Sequence, residues 1–262
     1  MPDHDPSDGD HGRFSYRPGL DGIRALAVAA VLAYHADFPW ARGGFLGVDA
    51  FFVLSGYLIT TILLTEWNAR GGIGLLAFWT RRARRLLPAL YLMLIGVAIY
   101  AVFMASPLEL DKIRGDALAT IAYVANWRPI FTGASYFDRF SIPSPLNHTW
   151  SLAIEEQYYL IWPLLLLFLL RVRRLTPNAL LAVTLAMAAA SAILMGALFQ
   201  PGHDPSLVYY GTDTRAQSLL VGAALAMLLL RTGPVQGPLS GPLLQIGGLQ
   251  CAVAVAFLWG FT

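Results

Sequence analysis

Charged residues are scarce in this chain, and that scarcity excludes the commonest class of proteins. Asp, Glu, Lys and Arg make up 13% of its 262 residues, whereas hydrophobic residues make up 56%. A soluble globular domain carries about 25% charged residues. The mean hydropathy of +0.57 points the same way. The composition therefore excludes a soluble globular protein and predicts an integral membrane protein.

Cysteine is almost absent, because Cys251 is the single one in the chain. One cysteine excludes an intramolecular disulfide, and its apolar neighbours favour a small core residue. Residues 1–15 are polar and acidic, which predicts a disordered tail and not a cleaved signal peptide. His4 and His11 lie in that tail, where solvated side chains are favoured over metal ligands. We predict no metal site and no nucleic-acid partner.

Long apolar runs recur along the chain and predict an all-α fold, a polytopic bundle of transmembrane helices. A run at 116–131 is too short for a clear crossing, and Thr232–Pro242 is a Gly/Pro linker. The last apolar run has no polar residues after it, so we expect the sequence to be truncated at its carboxyl end. The predicted spans are about 20–39, 44–65, 86–105, 149–170, 178–199, 215–230 and 243–262.

Arginine clusters set the expected orientation, because basic loops remain on the cytoplasmic side of a membrane. The cluster Arg81–Arg85 separates the second and third spans, and Arg171–Arg174 and Arg231 follow later spans. If the amino terminus is cytoplasmic, all three basic groups lie on the cytoplasmic side only if the run 116–131 does not cross the membrane fully. We therefore interpret that run as re-entrant or peripheral, in a multi-pass protein of the plasma membrane.

The first span carries Arg24 and His35, eleven positions apart. On an α-helix this spacing puts them on one face, roughly 16 Å apart along the axis, with Asp21 on the same stripe. Ionisable groups inside an apolar span are expensive to insert and usually face a bundle interior or a polar cavity. A channel between a fixed cation and a titratable imidazole is the first functional hypothesis.

The second span begins with Asp49 near its outer end and continues through Ser55, Gly56 and Tyr57. Small residues such as Ser55 and Gly56 allow close helix packing. Asp49 is either a functional group beside His35 or an ordinary interfacial acid, and the sequence leaves both interpretations open.

Arg81, Arg82, Arg84 and Arg85 form two overlapping Arg-x-x-Arg pairs. Residues i and i+3 share a helix face, so each pair makes a fork that suits phosphate groups. The alternative is a plain positive-inside anchor, which the pattern alone favours.

The segment Ser144–Tyr159 is dense in polar groups where a helix enters the membrane. Glu155 and Glu156 are adjacent carboxylates, and inserting them into a membrane costs free energy unless they are paired or hydrated. Glu155 also shares a helix face with Tyr159. A structural alternative is that early acids complement a helix amino terminus and that His148 is a cap. The density of polar groups favours function. A later segment, 212–217, also opens a span with charged residues.

Taken together, these motifs resemble the acyltransferase 3 family of membrane O-acyltransferases over residues 16–262. The blocks that carry the resemblance are Tyr16–Arg24 with His35, Gly47–Ile59, Arg81–Pro88, His148–Tyr159 and Thr214–Gly222. The resemblance implies about ten spans, so this chain, with fewer, is expected to lack the carboxyl end of the domain. We also expect it to lack the esterase-like domain that some members append.

The resemblance implies an acyl-CoA donor, usually acetyl-CoA, no permanently bound cofactor, and an acceptor hydroxyl on a cell-surface glycan or related molecule. By that resemblance, Arg24, His35, Glu155 and Glu156 correspond to the catalytic groups, and Arg81–Arg85 to the basic cytoplasmic motif. The remaining candidate residues, which we assign to substrate binding, are Asp49, Ser55, Tyr57, His148 and Tyr159.

The residues and the resemblance suggest one scheme. The CoA phosphates bind Arg81–Arg85, the pantetheine arm follows the Arg24–His35 face, and His35 deprotonates the acceptor hydroxyl. Glu155 or Glu156 orients the imidazole, and a covalent acyl-His intermediate is an open variant. A transporter or proton relay is the competing class, because intramembrane Arg, His and Glu also mark ion pathways. A third alternative is a non-catalytic membrane scaffold.

Overall fold

The computed structural model describes residues 18–135 and 144–232, and within these ranges it contains helices and no strand. This confirms the prediction of an all-α fold. The helices are α1 Pro18–His35, α2 Gly47–Arg70, α3 Leu75–Phe103, α4 Pro107–Ile121, α5 Trp127–Thr132, α6 Thr149–Leu167, α7 Pro177–Leu198, α8 Ser206–Tyr210 and α9 Thr212–Thr232. A 3₁₀ segment, Pro39–Leu46, joins α1 to α2, and a π-helical turn, Phe168–Val172, extends α6.

Five helical stretches in the described ranges are long and apolar enough to cross a membrane. This confirms a polytopic transmembrane protein. The stretches are Pro39–Arg70, Leu75–Phe103, Thr149–Val172, Pro177–Leu198 and Thr212–Thr232. Helix α1, which covers most of the predicted first span, is not among them, because its 18 residues include two opposite charges and a histidine.

One predicted segment differs in the structure. The polar stretch 66–85 was expected to connect two spans, but α2 continues to Arg70 and α3 already begins at Leu75. Gly71 ends α2 with a φ of +65°, a left-handed conformation that glycine adopts without steric cost. The run 116–131 is divided between α4 and α5 and forms no continuous helix long enough to cross. The tail 1–15, the linker after Thr232, Cys251 and the run 243–262 lie outside the described residues.

The centre of the bundle is the packing of α2 against α9, with α6 and α7 alongside. Asp49, near the start of α2, contacts Arg215, near the start of α9, so the two helices run in the same direction. Helix α6 runs parallel to α2 as well, because Trp150 packs on Phe52 and Trp162 donates a hydrogen bond to Thr60 at 2.9 Å. The starts of α2, α6 and α9 therefore lie at the same end of the bundle.

Glycines make the close approach of α2 to α9 possible. A Cβ added at Gly56 would collide with the backbone of Leu219, and one added at Gly222 would collide with the backbone of Val53. Backbone carbonyls cannot swing aside as a flexible side chain can. Gly56 of the second span is therefore required for packing, as the close-packing interpretation predicts.

We expect Gly56→Ala to destabilise the protein by about 1–3 kcal/mol, because overpacking forces α2 away from α9. Thermal unfolding of the detergent-solubilised protein measures the effect. Gly96→Ala on α3 is the matched control, since a Cβ there meets nothing within 4 Å. Equal melting temperatures for the two variants would contradict the close α2–α9 contact.

Candidate active site

A hydrogen-bonded group of polar side chains lies between α2 and α6. The Oε2 atom of Glu155 accepts hydrogen bonds from the hydroxyls of Tyr159 at 2.7 Å and Ser55 at 3.1 Å. The Tyr159 hydroxyl lies 3.0 Å from the Ser55 hydroxyl, which closes the triangle. Tyr159 is buried, and Ser55 and Glu155 are half-buried. Three residues from two distant sequence blocks, all proposed from the sequence, thus meet at one point.

The basic cluster on α3 is divided by the structure. Arg82 is half-buried, with its guanidinium carbon 4.9 Å from the centroid of the Tyr159 ring. The neighbouring Trp79 donates its indole N–H to the Tyr159 carbonyl at 3.0 Å, which holds α3 against α6. The other three arginines, Arg81, Arg84 and Arg85, are exposed. Arg82 therefore connects the basic surface with the Glu155 group.

Arg24 and His35 lie at different levels of α1. Arg24 forms an ion pair with Asp21 at 3.1 Å, and it is close enough to interact electrostatically with Glu155, as Arg82 is. His35 is roughly 16 Å further along the axis by helix geometry. Its Nδ1 atom lies 2.8 Å from the Val31 carbonyl oxygen. A carbonyl only accepts, so Nδ1 carries the proton and Nε2 is the basic nitrogen.

Glu156 faces a different direction from Glu155. Its Oε1 atom is buried and has no hydrogen-bond partner among the described residues. Glu155, Arg82 and Tyr123 are the ionisable groups that interact with it electrostatically. A buried carboxylate oxygen without a partner is rare in folded proteins and often marks a functional position. The orientation of His35 by either acid stays a prediction.

Asp49 forms an ion pair that the sequence alone did not reveal. Both of its carboxylate oxygens accept from the Nη1 atom of Arg215, at 3.0 and 2.9 Å, and one accepts from the Ser218 hydroxyl at 2.8 Å. Arg215 also donates to the Tyr209 carbonyl and lies over the Tyr209 ring, 4.4 Å from its centroid. The sequence signal for this pair was the presence of charged residues at the start of the 212–217 segment. Asp49, the partner of Arg215, lies 166 residues away in the sequence.

His148 and Tyr57 occupy positions outside the Glu155 group. His148 precedes α6, and its Nε2 lies 3.3 Å from the Met93 sulfur. Desolvation lowers the pKa of the His148 imidazole, against the opposing effect of a hydrogen bond with the Pro145 backbone. Tyr57 is buried in α2, where its carbonyl accepts from Thr61. The described residues contain no group of three or more His, Cys, Asp or Glu side chains that could hold a metal ion.

Comparison with known proteins identifies the family of this chain. The acyltransferase 3 family, described as an acyltransferase domain, matches residues 17–262. This chain therefore belongs to the acyltransferase 3 family, as the sequence motifs predict. No solved structure matches it.

Three relatives are similar over most of this chain. The peptidoglycan O-acetyltransferase OatA of Listeria monocytogenes serovar 1/2a is 54% identical over 235 residues, which is 89% of this chain and 38% of that protein. YrhL of Bacillus subtilis is 51% identical over 81% of this chain and 33% of that protein. The O-acetyltransferase OatA of Staphylococcus aureus NCTC 8325 is 46% identical over 81% of this chain and 35% of that protein. The chain thus spans about a third of the length of these relatives.

Proposed function

We propose that this protein is an integral membrane O-acetyltransferase of the plasma membrane. It would transfer an acetyl group from cytoplasmic acyl-CoA to a hydroxyl of peptidoglycan or a related cell-surface glycan. Family membership and the names of the relatives support the reaction class and the acceptor. The acyl-CoA donor is our inference from the basic surface on α3.

One observation carries the proposal, namely the Ser55–Glu155–Tyr159 group and its contact with Arg82. It places a carboxylate and two hydroxyls inside an apolar bundle, beside the guanidinium of Arg82. The three exposed arginines lie next to Arg82 on the same helix, α3. Polar groups of this density in a membrane interior are expensive and mark functional pathways. Exposed guanidiniums bind phosphates well, so Arg81, Arg84 and Arg85 suit the nucleotide end of CoA.

In the proposed reaction, the Nε2 atom of His35 accepts the proton of the acceptor hydroxyl. The oxygen attacks the acyl carbon, the carbon–sulfur bond breaks, and the CoA thiolate leaves with the proton returned from the imidazole. Arg24, which is close enough to Glu155 to interact with it electrostatically, would hold the donor's polar arm. This assignment gives Arg24 and His35 each a role in the transfer, while Asp21 forms the ion pair with Arg24.

The test is acetyl transfer by the complete protein in liposomes supplied with labelled acetyl-CoA and muropeptides. We expect labelled O-acetyl product, and a loss of at least tenfold in Glu155→Gln, which keeps the side-chain shape but replaces the carboxylate that accepts hydrogen bonds from Tyr159 and Ser55. Asp111→Asn on the exposed surface of α4 is the matched control. Proton flux without consumption of acetyl-CoA would favour the competing proton relay and reject the transferase.

The proposal requires the α2–α3 turn to face the cytoplasm. In a Cys251→Ser background, we expect Ala69→Cys, exposed at the end of α2, to react with a membrane-impermeant thiol reagent only after the membrane is opened. Ser106→Cys, exposed beyond the other end of α3, is the control and should react in intact cells. The reverse pattern would put the arginine cluster outside and remove it as a binding surface for cytoplasmic CoA.

A further inference from the structure

Gln157, the residue that follows the two acids, belongs to a polar network that none of the proposed roles uses. Its amide nitrogen donates to the Tyr123 carbonyl at 2.8 Å and to Oδ1 of Asn126 at 2.9 Å. Its Oε1 accepts from the Thr212 hydroxyl at 2.6 Å. Asn126 in turn donates to the Thr212 hydroxyl at 2.9 Å and to the Tyr210 carbonyl at 3.0 Å.

Every amide hydrogen in this network has an acceptor. Gln157 and Asn126 each have two, and all four are used, while the Thr212 hydroxyl donates once and accepts once. Asn126 is completely buried. A satisfied buried network permits a single arrangement, because any shift leaves polar groups unpaired in an apolar setting. The network therefore fixes α6 against the α4–α5 connection and the start of α9.

The same network holds a strained residue next to Glu156. Tyr123 has a φ of +54°, a left-handed conformation that non-glycine residues rarely adopt. Its carbonyl is the one that Gln157 holds, and its phenol is close enough to interact electrostatically with Glu156. Backbone strain of this kind persists only where surrounding contacts enforce it.

Glu155 and Glu156 differ in how they are held. Glu155 is fixed by its own hydrogen bonds from Ser55 and Tyr159. The Oε1 atom of Glu156 has no such bond within the described part of the chain. The position of Glu156 relative to Arg82 and Tyr123 therefore depends on how α6 itself is placed, and the adjacent Gln157 fixes α6 against the α4–α5 connection and the start of α9.

We propose that Gln157 is a positioning residue, which acts with Asn126 and Thr212 to hold the Glu156 carboxylate and Tyr123 in the geometry that acyl transfer requires. This inference rests on the proposed function. A rotation or slide of α6 would misplace Glu156, whereas Arg81, Arg84 and Arg85, which are exposed, would still reach the CoA phosphates. Loss of the network should thus lower kcat and leave the KM for acetyl-CoA unchanged.

Gln157→Glu tests this in the complete protein, because it keeps the side-chain shape and turns both amide donors into an acceptor. We expect kcat to fall by about 10- to 100-fold with an unchanged KM, as misplacement of about 1 Å can cost 10²-fold. Thr212→Val, which removes the hydroxyl, should lower kcat in the same way, whereas Thr212→Ser should restore it. Gln217→Glu is the control, since the side-chain amide of Gln217 donates to the Met195 sulfur and takes no part in the network.

Hydrogen exchange of the Tyr123–Asn126 turn provides a readout that does not need activity. Faster exchange with a reduced kcat in Gln157→Glu and Thr212→Val supports the proposal. Faster exchange with a wild-type kcat would show that the network is only structural and would overturn the proposal. A fall in kcat of the same size in Gln217→Glu would also overturn it. If Gln157→Glu does not fold, the comparison of Thr212→Val with Thr212→Ser tests the proposal by itself. Failure of the wild-type protein to consume acetyl-CoA would instead reject the proposed function itself.

Discussion

His35→Ala is expected to reduce acyl transfer by about 10²–10⁴-fold, the range for loss of a general base. The side chain is exposed at the end of α1, so its removal leaves no cavity and opens no buried ion pair. Its Nδ1 atom is fixed by the Val31 carbonyl, which leaves Nε2 as the base. The measurement is O-acetyl ester released from the glycan of cells that carry the variant.

His203→Ala is the matched control for that variant. His203 is also exposed, but it lies in the connection between α7 and α8 and not on α1. Both variants should accumulate in the membrane to wild-type levels. Near-normal acetylation in cells with His35→Ala would remove this residue from the mechanism and favour a different base.

Arg215→Met is expected to destabilise the folded protein by about 3–5 kcal/mol, because it leaves a partly buried carboxylate without its charge partner. The Arg215 side chain is 9% exposed, and the Asp49 side chain is 24% exposed. The substitution also removes the hydrogen bond to the Tyr209 carbonyl and the contact with the Tyr209 ring. Thermal unfolding of the detergent-solubilised protein measures the loss.

Two further variants make the Arg215 result specific. Arg70→Met breaks an ion pair with Glu66 in which Arg70 is 78% exposed, and exposed pairs are worth only about 0–1 kcal/mol. The double variant Asp49→Leu/Arg215→Met should recover part of the stability, because it removes both charges together. A melting temperature for Arg215→Met equal to that of Arg70→Met would show that the Asp49–Arg215 pair contributes little.

The apolar runs of the sequence determined the helices and the membrane setting, since backbone groups inside a bilayer must be bonded within their own helix. Helix periodicity also put Arg24 and His35 on one face of α1. The boundaries near Arg81–Arg85 were harder to predict, because an amphipathic helix that extends past the membrane surface has the composition of a loop. The structure shows that this cluster lies within α3 and that Arg82 alone turns towards α6.

The partners of the polar residues were decided only by tertiary structure. The sequence marked Asp49, Ser55, Glu155 and Tyr159 as candidates, but helix periodicity cannot say which faces of different helices meet. Packing of α2 against α6 and α9 brought Ser55 to Glu155, 100 residues away, and Asp49 to Arg215. Gln157 was overlooked because an uncharged amide gives no signal in the sequence until its buried partners are known. Charge and hydrophobicity are properties of single residues, whereas a hydrogen-bond network exists only once distant segments are packed together.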